Sequence, residues 1–266
     1  MKIAIIGTGN LGKSIAKGLI TTNAITTLYL TKRHLNSISE FEGYKNVTLT
    51  SDNIEAVKNS DILIFAVQPS HFEAILKIIK PYLTDKHVII STITGYSISK
   101  IENEIGSEQF IIRAMPNTAI AVGKSMTCLC SNEQGAKRIK IAEAIFNRLG
   151  HTLEIPETQM QAATVVCASG IAFWMRLIRA TTQAAIQLGF DSKEAQELAM
   201  HTCEGAANLL ITSGNHPEEE IDKVTTPRGC TIEGLNEMEH KGLSSSLIQG
   251  MVASFNKISN IRKEQI

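Results

Sequence analysis

Ile3-Ala4-Ile5-Ile6-Gly7-Thr8-Gly9-Asn10-Leu11-Gly12 is an apolar, β-branched run that turns through Gly-x-Gly-x-x-Gly. Such a run stopped by glycine predicts a buried strand. Leu11, Ile15 and Leu19 then keep the i, i+4 spacing of a helix lying on a sheet. Strand, glycine loop and helix in this order favour a dinucleotide-binding turn over a plain glycine turn. The first glycine permits the tight turn, the second admits a pyrophosphate to the backbone, the third allows close helix packing, and the helix N-terminus favours the anion. Gly7, Thr8, Gly9, Asn10, Leu11 and Gly12 are therefore candidate cofactor contacts.

Outward from this loop the pattern repeats. Thr27–Leu30, Val47–Leu49, Ile62–Val67, Val88–Ile93 and Phe110–Ile112 read as further strands, with Phe72-Ile75-Ile79 as a helical stripe between them. The alternation predicts a parallel βαβ sheet covered by helices. Ser125–Ser131 and His151–Ile155 read as strands flanking a helix over about 133–149, with Gly150 as its left-handed cap. After Pro156 the pattern is helical only: a long segment from Thr158 to Leu188 with a bend expected at Ser169-Gly170, and a helix from Asp191, whose Glu194 makes a capping box, to about Leu210. Two more helices are expected over 232–241 and 245–263, and the acidic run Glu218–Glu220 reads as a solvated helix start. The expected fold is α/β: a Rossmann-like dinucleotide-binding domain over 1–156 and an all-helical dimerisation and substrate-binding domain over 157–266. Broad apolar faces in the helical part predict a homodimer or larger assembly.

Composition narrows the function. The 266 residues (29.0 kDa) are 43% hydrophobic and 20% charged, which excludes disorder as the main state. Formal charge is zero overall, +4 over 1–156 and −4 over 157–266, too weak a field for a nucleic-acid binder. The apolar start is too short for a signal peptide, which predicts a cytoplasmic protein. The charge-free stretch Ala162–Met175 is shorter than a membrane span, which predicts a buried helix and no membrane partner. Cys128, Cys130, Cys167, Cys203 and Cys230 form no CxxC pair and the histidines no ligand spacing, so reduced thiols and no metal are expected.

About twenty residues past the loop, where an NAD-selective site places an acid, stand Thr31-Lys32-Arg33-His34. Two cations and a hydroxyl suit a 2′-phosphate, so Thr31, Lys32 and Arg33 favour NADPH, with NADH as the alternative; a solvated basic turn is the bland reading. Substrate belongs beyond the carboxyl ends of the strands, where Val67-Gln68-Pro69, Thr92–Gly95 and Arg113–Asn117 lie, although Arg113 could equally make a buried ion pair. Thr226-Pro227-Arg228-Gly229-Cys230-Thr231 suits a helix N-terminus able to hold a carboxylate, while capping alone would also account for its threonines.

Several of these runs resemble the pyrroline-5-carboxylate reductase family over nearly the full chain. Ala66-Val67-Gln68-Pro69 stands where the family has AVKP, Arg113–Thr118 matches RxMPNT, and Ala168–Phe173 stands for GSGPAY. Val224–Ile232 resembles V-[ST]-[ST]-P-G-G-x-T-I, preceded by His216-Pro217. The resemblance implies NAD(P)H-dependent reduction of (S)-1-pyrroline-5-carboxylate to L-proline, the last step of proline biosynthesis. It also implies interlocking helices of two subunits, and dimers that can build larger rings, with the substrate turn supplied by the partner subunit. Carried over by position, Thr226, Gly229, Cys230 and Thr231 would hold the substrate carboxylate, and Asn53, Val67, Gln68, Pro69 and Thr94 would line the cofactor. Arg228, Ala168, Ile171 and Gln68 depart from the family pattern; Arg228 stands for a glycine and needs a negative φ or tolerated strain.

A protonated imine is already an electrophile, so positioning is the protein's main task. No catalytic dyad is visible, and Thr231 is the candidate for orienting the substrate or stabilising its ring nitrogen. The rivals are an NADP-dependent imine or β-hydroxyacid reductase of another substrate and a non-catalytic NADP-sensing module. The acid dehydrogenases generally use a lysine on the long helix of the second domain, and Thr158–Leu188 holds only Arg176 and Arg179.

Overall fold

A computed structural model describes residues 1–21 and 25–264, with the side chains of the last helix through Ser259. The chain divides into two compact units: Met1–Ile171 with the C-terminal segment from Ser254, and Ala172–Ala253. In the first unit β1 (Lys2–Ile6), β2 (Thr27–Thr31), β3 (Val47–Thr50), β4 (Ile62–Phe65), β5 (Val88–Ser91), β6 (Phe110–Met115), β7 (Ser125–Ser131) and β8 (Gly150–Glu154) form one sheet. Their order is β3-β2-β1-β4-β5-β6-β7-β8. The connecting helices are α1 (Asn10–Thr21), α2 (Asn53–Lys58), α3 (Pro69–Ile79), α4 (Ile98–Ile105), α5 (Glu133–Ala136) and α6 (Ile139–Phe146).

The strand period of two sends the apolar runs to both faces. Ile3 and Ile5 share a core with Ile15 and Leu19, while Ala4 and Ile6 share one with Phe72 and Leu76. Phe72 also meets the rings of Phe65 and Tyr96 at 5.2 and 4.9 Å between centroids. Each buried Ile, Leu or Phe here contributes about 1.5–3 kcal/mol, so the two cores fix the sheet and its crossover helices together.

Four expectations for this unit change. First, β6 and β7 pair antiparallel, so β7 and β8, parallel to each other, run against the other six strands. Second, the expected helix over 133–149 is two. Asn132 Oδ1 accepts from Gly135 N (2.7 Å) and Ile111 N (3.2 Å), tying α5 to β6, and the chain re-aims at Arg138 (φ −123°) before α6. Third, Gly150 opens β8 instead of capping a helix. Its φ is +145°, and a Cβ there would lie 2.0 Å from Ser125 O, so close strand approach demands the glycine. Fourth, β4 and β5 end at Phe65 and Ser91, leaving Ala66-Val67 and Thr92-Ile93 to turn off the sheet.

Beyond Pro156 come a 3₁₀ turn (Glu157–Gln159), α7 (Met160–Ala163), a π-helical stretch (Thr164–Ser169) and α8 (Gly170–Gln187). Where a bend is expected at Ser169-Gly170, the structure has the end of this π stretch, and Gly170 itself is helical (φ −55°). Asn117 Nδ2 donates to Cys167 O (3.0 Å) and Thr164 Oγ1 to Met160 O (2.8 Å), so side chains take up carbonyls there. The helical run Glu157–Gln187 is long and apolar enough to cross a membrane by length and composition, and only 22% of its apolar window is buried. The buried helix expected at Ala162–Met175 is buried within one chain only at Ala163, Thr164, Val165 and Gly170, with Val166, Trp174 and Met175 exposed.

The second unit continues with α9 (Ser192–Ser213), α10 (Pro217–Val224), α11 (Cys230–His240) and the first part of α12 (Leu243–Glu264). The Asp191–Glu194 capping box forms, and α9 ends on a left-handed Gly214. Pro217 opens α10 with the three glutamates in its first turn. Among the described residues 172–253, only Thr182, Ala195 and Ala199 are buried.

Candidate functional site

Because β1 pairs with β2 on one side and β4 on the other, the loops leaving β1 and β4 diverge at the carboxyl edge of the sheet. In open α/β sheets this divergence opens the ligand crevice. Here it holds a cavity of about 400 Å³ lined by Gly7, Thr8 and Gly9 from the first loop and by Val67 and Gln68 from the second. At Gly7 (φ +95°) a Cβ would meet Val67 Cγ1 at 2.3 Å, and at Gly12 it would meet Gly7 O at 2.4 Å. Gly9 has open space instead, so a ligand can reach its backbone. The loop hangs from β2: Gly7 N donates to Thr31 Oγ1 (3.2 Å) and Thr8 N to Thr31 O (2.9 Å). Thr8 is fully buried with its Oγ1 unpartnered. Tight packing, an open Gly9 backbone and a buried hydroxyl without a protein partner fit a pyrophosphate at the start of α1.

Lys32, Arg33 and His34 line the same cavity from the turn after β2. Arg33 and His34 are exposed, and neither Lys32 nor Arg33 makes an ion pair among the described residues. Thr31 also lines the cavity, but it is 2% exposed and its hydroxyl serves Gly7 N. Asn53 lines it from the first turn of α2, which Asp52 caps by accepting from Ile54 N and Glu55 N. Pro69 begins α3, and Gln68, its N-cap residue, makes no side-chain capping bond. Pro69, Thr94, Asn10, Leu11 and Gly12 do not line the cavity. The sequence reading missed Ser51, His71 and Ile75, which do. The i, i+3 and i, i+4 steps from Gln68 to His71 to Ile75 were the signal for the latter two.

The strand end at Arg113–Asn117 is occupied otherwise. Arg113 is 2% exposed and its Nη1 donates to Glu157 Oε1 at 2.8 Å; this is the ion-pair reading, with the cation buried and the carboxylate 32% exposed. Ile98 N donates to the same oxygen at 2.7 Å. Asn117 caps the following turn through Ala119 N and holds the π stretch.

The turn at Thr226 belongs to the second unit. Gly229 N donates to Thr226 O at 2.9 Å, closing a turn around Pro227 and Arg228. Arg228 has φ +61°, the only non-glycine positive φ among the described residues, in a position where a type II turn takes glycine. Tolerated strain is therefore how arginine replaces glycine. A Cβ at Gly229 would lie 2.4 Å from Thr226 Oγ1. Gly229 is the N-cap of α11 and no side chain caps that helix, so Thr226 and Thr231 are not its caps and the first-turn amides at Cys230 and Thr231 carry no side-chain cap.

The sheet order, glycine loop and cavity define a Rossmann-type dinucleotide-binding protein. Residues 157–261 match the family model for pyrroline-5-carboxylate reductase dimerisation, and residues 2–95 that for NADP oxidoreductase, coenzyme F420-dependent. Pyrroline-5-carboxylate reductase 2 of Dictyostelium discoideum is 39% identical over 97% of this chain and 92% of its own length. Pyrroline-5-carboxylate reductase 1 of that organism is 42% identical, and the chain spans about half of it (49%). The crystal structure of Plasmodium falciparum pyrroline carboxylate reductase with NADP bound superposes with a TM-score of 0.89 at 27% identity, covering 98% of each chain. The chain belongs to the pyrroline-5-carboxylate reductase family.

Proposed function

We propose that this chain reduces (S)-1-pyrroline-5-carboxylate to L-proline, with NADPH as the preferred cofactor. The observation that carries the reading is one chain holding both a dinucleotide crevice and the uncapped Thr226–Thr231 helix end, within this family. A bound reduced nicotinamide supplies the hydride. The chain's own residues bind and orient. Amides from Gly9 onward at the start of α1 hold the pyrophosphate over the Gly7–Gly12 turn, Lys32 and Arg33 hold the 2′-phosphate, and Asn53, Val67, Gln68, Pro69 and Thr94 flank the rest of the cofactor.

Thr226, Gly229, Cys230 and Thr231 hold the substrate carboxylate through hydroxyls and amides, and Thr231 orients the ring nitrogen. No strong general acid is needed, because the imine arrives protonated and fixing it at reactive distance supplies most of the catalysis. We assign residues 1–156 to the cofactor and 157–266 to dimerisation and substrate, with the turn of one subunit serving the cavity of its partner in a dimer or a ring of dimers. The exposed apolar surface of α8 then faces a second copy instead of a bilayer, in a cytoplasmic enzyme.

The test is oxidation of NADPH and NADH with 1-pyrroline-5-carboxylate, beside piperideine and 3-hydroxyacid analogues. Saturable turnover, fastest with NADPH and the five-membered imine, supports the reading; cofactor binding with no imine turnover overturns it. Thr231→Val is expected to lower kcat/KM at an unchanged Tm, and unchanged kinetics would remove Thr231 from the role.

A further inference from the structure

Two thiols meet in the first unit. Cys128 on β7 and Cys167 in the π stretch bring their sulfurs to 3.8 Å, and all five cysteines of the chain are free. The pair is asymmetric in access: Cys128 is 3% exposed within the core that contains Met160 and Ala163, while Cys167 is partly open. The backbone at Cys167 is held, because its carbonyl accepts from Asn117 Nδ2 at 3.0 Å. The sulfurs therefore stay opposed through the side chains' own rotation, and a bond needs them to close by roughly 1.8 Å to the ordinary S–S length.

We propose that Cys167 is a hydroperoxide-reactive thiol and Cys128 its resolving partner, giving this chain a reversible Cys128–Cys167 disulfide. The Cys167 thiolate attacks the O–O bond, takes one oxygen as a sulfenic acid and releases the other as an alcohol or water once protonated. The Cys128 sulfur then attacks Cys167 Sγ, forming the S–S bond and expelling water that carries off the Cys128 proton. The two thiols are oxidised by two electrons and the peroxide is reduced by the same two, and a small dithiol reverses the change.

The division of roles follows from surroundings. The hydrogen bond between the two sulfurs, and then burial, keeps the proton on Cys128, and the same bond holds the Cys167 thiol below the usual thiol range. Cys130, two residues along β7, is pushed up to about 11 by burial and takes no part. The bond would tie β7 to the stretch that leads into α8. This inference is independent of the proposed reaction.

The experiment treats the purified full chain with one to a few equivalents of hydrogen peroxide, alkylates remaining thiols, and maps peptides by mass. The expected result is loss of two hydrogens per chain, a Cys128–Cys167 cross-linked peptide within one chain, and full reversal by dithiothreitol. In Cys128→Ser, dimedone should trap a sulfenic acid at Cys167; Cys167→Ser should give no cross-link. Over-oxidation of Cys167 without a cross-link, earlier oxidation of Cys203 or Cys230, or a cross-link between chains would overturn the proposal. The wild-type peptide map decides even if a variant fails to fold.

Discussion

Arg228 shows how much a single residue can carry. An L-residue in the left-handed region costs about 1–2 kcal/mol, part of which glycine forfeits through its freer unfolded chain. Arg228→Gly is therefore expected to stabilise the protein by about 0.5–1 kcal/mol in urea unfolding, and an unchanged or lowered midpoint would mean the turn bears no strain. The sequence showed that arginine stands where glycine is usual, but only the backbone angle shows that the turn kept its shape. Lys32 and Arg33 were legible because no acid follows β2. Each charge-assisted bond to a phosphate contributes about 1.5–3 kcal/mol, so Lys32→Ala or Arg33→Ala should raise the KM for NADPH about tenfold or more while leaving that for NADH within about twofold. Equal losses with both cofactors would place these cations away from the 2′-phosphate. Thr31 was read as a third contact, and its bond to Gly7 N was hidden because it joins residues 24 apart.

At the scale of elements, the strands of the sheet and their helices followed from apolar period and glycine punctuation. What local pattern could not supply was direction and junction. The antiparallel β6–β7 pairing depends on a chain reversal through Thr118–Val122, where Asn117 caps a 3₁₀ turn ending in a left-handed Gly123. Similarly, no local pattern marks Glu157, which the structure places on both Arg113 and the first amide of α4. That carboxylate joins the start of the helical segment to β6 and α4. Removing it leaves a buried cation, so Glu157→Ala should cost about 3 kcal/mol in denaturant unfolding, and Glu157→Gln, which keeps an acceptor, distinctly less. Equal losses for the two substitutions would show that the charge contributes nothing beyond the hydrogen bond.

At the scale of the whole molecule, the helices of Ala172–Ala253 have almost no core of their own, while Trp174, Met175, Phe190, Leu198 and Ile211 are exposed. A segment of this size cannot stay folded with so little burial, and self-association provides the missing surface. The sequence revealed the apolar faces, and their breadth with the family resemblance pointed to a second copy over them; helical periodicity by itself looks the same whether the covering side chain comes from the same chain or another. Sedimentation should give a mass of at least twice 29.0 kDa, and activity should fall on dilution together with that mass. Activity that persists in a monomer would separate catalysis from assembly. The central claim concerns the reaction itself, and it is tested most directly by following the hydride. With 1-pyrroline-5-carboxylate and NADPH deuterated at C4 of the nicotinamide, in each stereoisomer in turn, one isomer should yield L-proline carrying a single deuterium at C5. Oxidised cofactor without labelled proline from either isomer would contradict the account.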